Sequence, residues 1–170
     1  MSCYAIVQDL DRCIGCHSCE LHCKTEHNVP VGANLGEIVE VGPVMVDGVP
    51  RVDHVFMACY HCSKPLCAAA CPTGALYRDD ETGLVMLNRE KCIGCSSCVH
   101  ACPWGVPQRI ESENKIMKCD FCSERLAAGE YPACVQGCTT GALTFVDQRQ
   151  QPAKKRAAFA AKYARAFEAE

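Results

Sequence analysis

Short runs of alternating apolar and polar residues recur through most of the chain and predict strands joined by turns. The segments Ala75–Tyr77 and Leu84–Leu87 are separated by an Asp-rich turn that ends in glycine, which predicts a β-hairpin. An internal repeat, described below, predicts by analogy with this hairpin that Ala142–Val146 pairs with Tyr4–Gln8, which would join the two ends of the core. Residues 24–57 carry glycine, proline and alternating valines, so we expect surface β-hairpins there.

The last segment has a different pattern, and it predicts a helix. Pro152–Glu170 is rich in alanine, the strongest helix former, and proline suits its first turn. Three aromatic residues, Phe159, Tyr163 and Phe167, recur every four positions and therefore lie on one helix face. This face either packs on the protein's own core or binds a groove on another chain, which could be a further copy of this one.

Cysteine dominates the composition, with 17 residues in a chain of 170. Sixteen of them form four runs of four, and only Cys3 is left over. The runs are Cys13, Cys16, Cys19 and Cys23; Cys59, Cys62, Cys67 and Cys71; Cys92, Cys95, Cys98 and Cys102; and Cys119, Cys122, Cys134 and Cys138. The first and third runs have the C-x2-C-x2-C-x3-C spacing of bacterial ferredoxins. At four thiolates per cluster, sixteen cysteines predict four [4Fe–4S] clusters.

Two other roles for so many cysteines are less consistent with the spacing. A zinc site needs pairs of C-x2-C, whereas the first and third runs contain three consecutive cysteines at this spacing followed by a fourth. A disulfide scaffold is disfavoured because the number of cysteines is odd and because residues so close within one loop pair poorly. Iron–sulfur ligation is therefore the prediction for all sixteen.

Internal repeats predict the architecture. Cys13-Ile14-Gly15-Cys16 resembles Cys92-Ile93-Gly94-Cys95, and Cys71-Pro72-Thr73-Gly74-Ala75-Leu76 resembles Cys138-Thr139-Thr140-Gly141-Ala142-Leu143. The second and third runs thus resemble an intact two-cluster ferredoxin, and the fourth and first runs a second one in permuted order. The predicted fold is α+β, with two nested ferredoxin-like units around four clusters, short β-hairpins and a C-terminal helix. The inner unit spans residues 59–102, the outer unit residues 1–58 and 103–147, and the helical segment residues 148–170.

In a two-cluster ferredoxin the fourth cysteine of each run binds the cluster of the other run. Applying this crossing to both units predicts four ligand sets, although the sequence cannot fix which fourth cysteine crosses where. The sets are Cys13, Cys16 and Cys19 with Cys138; Cys119, Cys122 and Cys134 with Cys23; Cys59, Cys62 and Cys67 with Cys102; and Cys92, Cys95 and Cys98 with Cys71.

Charge and hydropathy exclude several classes of function. The net charge is −3, and basic residues concentrate only in the last segment, which argues against nucleic-acid binding. No apolar run approaches the roughly 18 residues of a membrane span. We see no general base, nucleophile or phosphate-binding loop, so the chain is not expected to be an enzyme itself. The acidic start lacks a signal-peptide pattern, which predicts a cytoplasmic location; the alternative is periplasmic, by co-export with a partner that carries a twin-arginine signal.

The order of the four runs, with Cys71–Leu76 and Cys102-Pro103-Trp104-Gly105, resembles the four-cluster iron–sulfur subunits of the dimethyl sulfoxide reductase type over residues 3–146. The resemblance implies an electron-transfer subunit beside a molybdenum or tungsten pterin catalytic subunit. It also implies a second redox partner, such as a flavin or hydrogenase subunit. The short basic tail favours cytoplasmic formate dehydrogenase, hydrogenase-linked or tungsten aldehyde oxidoreductase complexes. A free polyferredoxin that diffuses between enzymes is the alternative.

Overall fold

The computed structural model describes residues 4–166, with side chains as far as residue 160. Cys3, Phe167 and the side chain of Tyr163 therefore lie outside the described residues. The strands are β1 Tyr4–Gln8, β2 Glu37–Val46, β3 Val49–Met57, β4 Leu76–Arg78, β5 Val85–Leu87, β6 Gln108–Ile110, β7 Lys115–Met117 and β8 Leu143–Asp147. The α-helices are α1 Ser18–His27, α2 Leu66–Ala69, α3 Ser97–Ala101, α4 Ser123–Ala127, α5 Ala133–Gln136 and α6 Gln151–Ala166, and a 3-10 turn covers Leu10–Arg12.

Antiparallel pairs account for all the strands in the described part of the chain. β1 pairs with β8, so that Tyr4 lies opposite Asp147 and Gln8 opposite Leu143. The predicted pairing of the chain's two ends is therefore confirmed, with β8 starting one residue later than expected. The predicted hairpin between the second and third cysteine runs is also confirmed, as β4 with β5. A further hairpin, β6 with β7, was not predicted because its turn, residues 111–114, lacks the glycine that marks the turn between β4 and β5.

The long hairpin of β2 and β3 covers most of the segment in which surface hairpins were predicted. Helix α1 continues to His27, however, so the start of that segment is helical. Gln8 holds the hairpin against the core through two hydrogen bonds: its side-chain amide donates to the His54 carbonyl at 2.7 Å and accepts from the Phe56 amide at 2.7 Å. The alternating valines of the hairpin are largely exposed, which explains why the pattern reads as a surface element.

The apolar core is small and includes cysteines. One part surrounds Leu35, Phe56, Phe121 and Leu143, and it contains Cys19, Cys23, Cys119 and Cys134. The other part surrounds Leu76 and Ile116, and it contains Cys92 and Cys98. Helix α6 follows β8, and residues 152–160 of this helix are exposed. Within the described residues no helix combines the length and the apolar content that crossing a membrane requires.

Candidate iron–sulfur centres

The loops of the first and third cysteine runs share an unusual backbone. In each loop two residues between the cysteines have positive φ: Gly15 (64°) and His17 (56°) in the first, and Gly94 (69°) and Ser96 (62°) in the third. Residues that alternate between left-handed and ordinary conformations turn successive backbone N–H groups toward one concave side. Such a concavity suits an anionic group, and the thiolate-bound iron–sulfur cluster is one.

Packing makes glycine necessary at the third-run position. A Cβ added to Gly94 would overlap the backbone carbonyl of Asn114, which cannot move without disturbing the β6–β7 hairpin. A Cβ added to Gly15 would instead meet the imidazole of His54 at 2.6 Å. The two loops therefore have the same conformation but different neighbours.

The turns that follow the second and fourth runs are also built alike. In both, a glycine with positive φ comes three residues after the cysteine: Gly74 at 64° and Gly141 at 62°. The hydroxyl of Thr73 lies 3.7 Å from the Cys71 sulfur, and that of Thr140 lies 3.9 Å from the Cys138 sulfur. The internal repeat in the sequence thus corresponds to a repeated local structure.

Three of the four predicted ligand sets each line a separate cavity, and the four cysteines of a set face the same cavity. We call them the Cys13 group (Cys13, Cys16, Cys19 and Cys138), the Cys59 group (Cys59, Cys62, Cys67 and Cys102) and the Cys92 group (Cys92, Cys95, Cys98 and Cys71). Each cavity contains three cysteines of one run and the fourth cysteine of another. The Cys59 cavity, of about 240 Å³, is also lined by Tyr60 and Trp104, whose rings meet edge to face at 5.1 Å between centroids. Trp104 therefore covers this group.

The remaining set is Cys119, Cys122 and Cys134 with Cys23, and we call it the Cys119 group. Burial raises the pKa of the Cys23 thiol to about 12, and the charge of Cys122 adds to this rise. Burial also raises the pKa of Cys134, with Cys23 as the next contribution. Cys23 also lies in the same part of the apolar core as Cys119 and Cys134, so it is beside the fourth run.

Burial affects the central thiols strongly. It raises the pKa of Cys19, Cys98 and Cys122 to about 11, and that of Cys119 well above the ordinary value. A buried thiol resists ionisation on its own, because its thiolate would lack solvent. Iron supplies the positive charge that a buried thiolate lacks, and the thiol releases its proton when it binds. Metal binding and folding are therefore coupled at these positions.

At some of the less buried cysteines, hydrogen bonds lower the pKa of the thiol, which is opposite to the effect of burial. The Ser97 hydroxyl lowers the pKa of Cys95. At Cys71 and Cys138 burial raises the pKa, but hydrogen bonds from backbone amides and from the neighbouring threonine outweigh it and the net shift is downward. These hydrogen bonds favour the thiolate form of the three cysteines, and the thiolate is the form that binds iron. The described residues therefore fit anionic clusters bound by four thiolates each.

Sequence reasoning missed three side chains close to the cysteines. The His27 Nε2 lies 3.2 Å from the Cys122 sulfur, and Asp120 accepts a hydrogen bond from the Cys122 amide at 2.8 Å. Lys118 lines the Cys59 cavity. The only feature of the sequence that could have indicated Lys118 and Asp120 is their position on either side of Cys119. His61 also lies close to the cysteines: its Nδ1 accepts a hydrogen bond from the Val85 amide at 2.9 Å, and its backbone amide donates to the Cys59 sulfur at 3.4 Å.

The predicted aromatic face of the last helix is only partly described. Phe159 is 69% exposed. The side chains of Tyr163 and Phe167 lie beyond the described residues. The proposed docking role of this face stays a prediction.

Three features together define an iron–sulfur protein. They are the concave backbone of the first and third loops, the buried thiols that lie close together, and the repeated turns. Residues 51–148 match the model of the 4Fe-4S dicluster domain, and the chain belongs to this family. It carries [4Fe–4S] clusters, and its sixteen grouped cysteines are consistent with four. Zinc and disulfide scaffolds are not needed to explain the cysteines.

Several characterised proteins are similar over most of this chain. It is 40% identical to the thiosulfate reductase electron transfer subunit PhsB of Salmonella typhi, over 84% of this chain and 74% of the relative. It is 36% identical to one of the polypeptides of the anaerobic dimethyl sulfoxide reductase of Escherichia coli, over 84% of this chain and 72% of that protein. It is 38% identical to a subunit of the tetrathionate reductase of Salmonella typhimurium, over 85% of this chain but only 58% of the relative.

Proposed function

We propose that this chain is the electron-transfer subunit of an oxidoreductase complex and holds four [4Fe–4S] clusters in the crossed sets defined above. A bound cluster takes up and releases one electron at a time. The inner unit, residues 59–102, holds the Cys59 and Cys92 groups, and the outer unit, residues 1–58 and 103–147, holds the other two. The names of the relatives support this role, since each belongs to a reductase and one is called an electron transfer subunit.

The observation that carries the proposal is the spatial order of the four groups. Cys19 packs in the same part of the core as Cys119 and Cys134, which joins the Cys13 group to the Cys119 group. Cys59 packs against this part of the core as well, and Cys67 packs against the part that contains Cys92 and Cys98, which joins the Cys59 group to both of its neighbours. The groups therefore follow one another as Cys13, Cys119, Cys59 and Cys92, which is the arrangement of a relay.

Each end of this order has an exposed cysteine, and the Cys119 group in the middle has none. Cys16 and Cys95 are exposed, whereas all four cysteines of the Cys119 group are buried. Ile14 is 65% exposed beside Cys16, and Ile93 is 59% exposed beside Cys95. Exposed apolar side chains at both ends suit contact with two proteins, one that supplies electrons and one that receives them.

For the partners we propose a molybdenum or tungsten pterin catalytic subunit at one end and a second redox subunit at the other. The relatives named for thiosulfate, tetrathionate and dimethyl sulfoxide reductases favour a reductase. A formate dehydrogenase, a hydrogenase-linked or a tungsten aldehyde oxidoreductase complex, in the cytoplasm, stays a prediction that these names do not support. Isolating the complex through a tag on this chain tests the proposal. A stoichiometric subunit containing molybdenum or tungsten is expected.

The main alternative is a free polyferredoxin, and the same isolation separates the two. A carrier that diffuses between enzymes would purify alone, as a brown monomer with all its clusters. That result would contradict the subunit proposal.

Helix α6 gives a second test of the partner contact. If the predicted face of Phe159, Tyr163 and Phe167 binds another chain, changing all three to alanine should release that chain and leave the visible spectrum of the clusters unchanged. Changing Lys154, Lys155 and Arg156 to glutamine in the same helix is the matched control. An unchanged complex mass in the aromatic variant would mean that the helix does not hold the partner.

A further inference from the structure

Among the described residues, Lys118 is the one buried charged side chain, with 6% of its surface exposed. Its ammonium donates hydrogen bonds to the backbone carbonyl oxygens of Val85 and of Cys119, the latter at 2.7 Å. Both partners are neutral, and no ion pair to a carboxylate is found for it in the described part of the chain. A buried ammonium without an opposite charge is strongly unfavourable, because it loses its hydration without compensation.

The opposite charge that Lys118 needs lies in the Cys59 cavity. Lys118 lines this cavity together with Cys59, Cys62, Cys67 and Cys102. Burial raises the pKa of the Cys59 thiol, and the charge of Lys118 is the largest opposing contribution. The charge of Lys118 also opposes the rise in the pKa of Cys67. An oxidised [4Fe–4S] cluster with four thiolates carries a charge of about −2, so this cluster would neutralise the ammonium.

We propose that Lys118 makes the cluster of the Cys59 group the one with the highest reduction potential in the chain, so that the first electron to enter rests there. Reduction adds a negative charge to a cluster, and a nearby cation stabilises the reduced form. The effect is strong here because the ammonium is buried, where water screens it little. Lys118 is thus a residue that sets a potential, without binding the cluster itself.

Among the described residues, the cations near the other three groups are less buried than Lys118: Lys115, which is half-buried, donates to the Cys92 carbonyl at 2.5 Å, and Arg125, also half-buried, opposes the rise in the pKa of Cys122. The Cys92 cavity is lined by uncharged side chains, and the Cys13 cavity by His17 as its one ionisable residue besides the cysteines, among the described residues. The Cys119 group lies beside Asp120, whose charge contributes to the raised pKa of Cys23 and of Cys122. A carboxylate disfavours the reduced form, so the neighbouring cluster is expected to have a lower potential.

The test is a redox titration of the isolated holoprotein, followed by electron paramagnetic resonance. This inference rests on the ligand sets of the proposed function, so Cys102→Ser first identifies the signal of the Cys59 group. Lys118→Met should then lower the midpoint of that signal by at least tenfold in the reduction equilibrium, or about 59 mV for one electron. Lys118→Arg keeps the charge and should restore most of the potential. The control is Lys64→Gln, since Lys64 lines the same cavity but is exposed.

Each outcome has a separate meaning. A midpoint that does not change in Lys118→Met, with all four clusters present, would overturn the proposal about Lys118 and leave the relay intact. If Cys102→Ser alters the signal of another group, the ligand sets are wrong and the proposal about Lys118 falls with them. If Lys118→Met does not assemble the cluster, the wild-type protein still decides: the signal identified by Cys102→Ser must appear first on reduction, and a different first signal would contradict the proposal.

Discussion

The Cys59 and Cys119 groups lie side by side, yet opposite charges surround them. Lys118 extends toward the Cys59 group and Asp120 toward the Cys119 group, and these two residues are the immediate neighbours of Cys119 in the chain. The cysteines of both groups come from equivalent runs of the internal repeat. The comparison teaches that repeated cysteine spacing builds similar cages, whereas the residues beside the ligands make the clusters different from one another.

The loops of the Cys13 and Cys92 groups give a second comparison of the same kind. Gly15 and Gly94 occupy equivalent positions with nearly the same φ, at 64° and 69°. One faces a side chain, His54, and the other a backbone carbonyl, that of Asn114. The repeat fixes the local conformation, and the surrounding fold determines how much change each loop tolerates.

Exchanging one bridging cysteine should have the largest effect. Cys23→Ser is expected to damage the cluster of the Cys119 group, because serine offers an oxygen in place of a soft thiolate. The signal of the Cys13 group, which shares the run of Cys23, should persist. Electron paramagnetic resonance of the reduced protein measures both. Cys138→Ser is the matched variant and should give the reverse pattern. Loss of the Cys13 signal in Cys23→Ser would refute the crossing between the units.

The second largest effect is expected from replacing the two equivalent glycines by alanine, and the loss of stability should differ between them. Gly15→Ala and Gly94→Ala both place a side chain at positive φ, which costs about 1–2 kcal/mol. Gly94→Ala must also displace the Asn114 carbonyl, and overpacking of this kind costs about 1–3 kcal/mol more. Loss of cluster absorbance on heating compares the variants. Gly105→Ala serves as the control, since its φ is 66° and an added Cβ meets nothing within 4 Å. Equal losses at Gly15, Gly94 and Gly105 would mean that the neighbours do not matter.

Removing the charge of Asp120 should have the smallest of these effects. Asp120→Asn keeps an oxygen that can accept the Cys122 amide, but it takes a negative charge away from the Cys119 group. The reduction potential of that cluster should rise, and that of the Cys59 group should change less. The rise should be smaller than the fall in Lys118→Met, because the Asp120 side chain is 29% exposed and water screens it. A fall in the potential would contradict the assigned role of Asp120.

Much of the local structure could be predicted because the cysteine repeat carries its own turn residues. The hairpin of β4 and β5 and the pairing of β1 with β8 follow from short alternating runs next to equivalent turns. The hairpin of β6 and β7 could not be predicted, because the turn between its short strands, residues 111–114, contains neither glycine nor proline. The full length of α1 was also missed, since its composition does not distinguish it from the loop that follows.

The charges around the clusters could not be predicted for a different reason. Lys118 is a single lysine in a chain with 17 basic residues, and nothing local indicates that its side chain is buried. Its role depends on Val85 and Cys59, which are distant in sequence and are brought near it only by the fold. The contact of His27 with the Cys122 sulfur is equally nonlocal, because 95 residues separate the two. Ligands are recognised from spacing, whereas the residues that tune them are recognised from packing.

The most direct test of the whole account is the iron and acid-labile sulfide content of the purified chain. Four clusters bound by the sixteen grouped cysteines predict about sixteen irons and about sixteen sulfides per chain, with no zinc. The number matters because both comparisons above assume that the outer and the inner unit each hold two clusters. About eight irons per chain, or zinc in place of iron, would contradict the four-cluster relay.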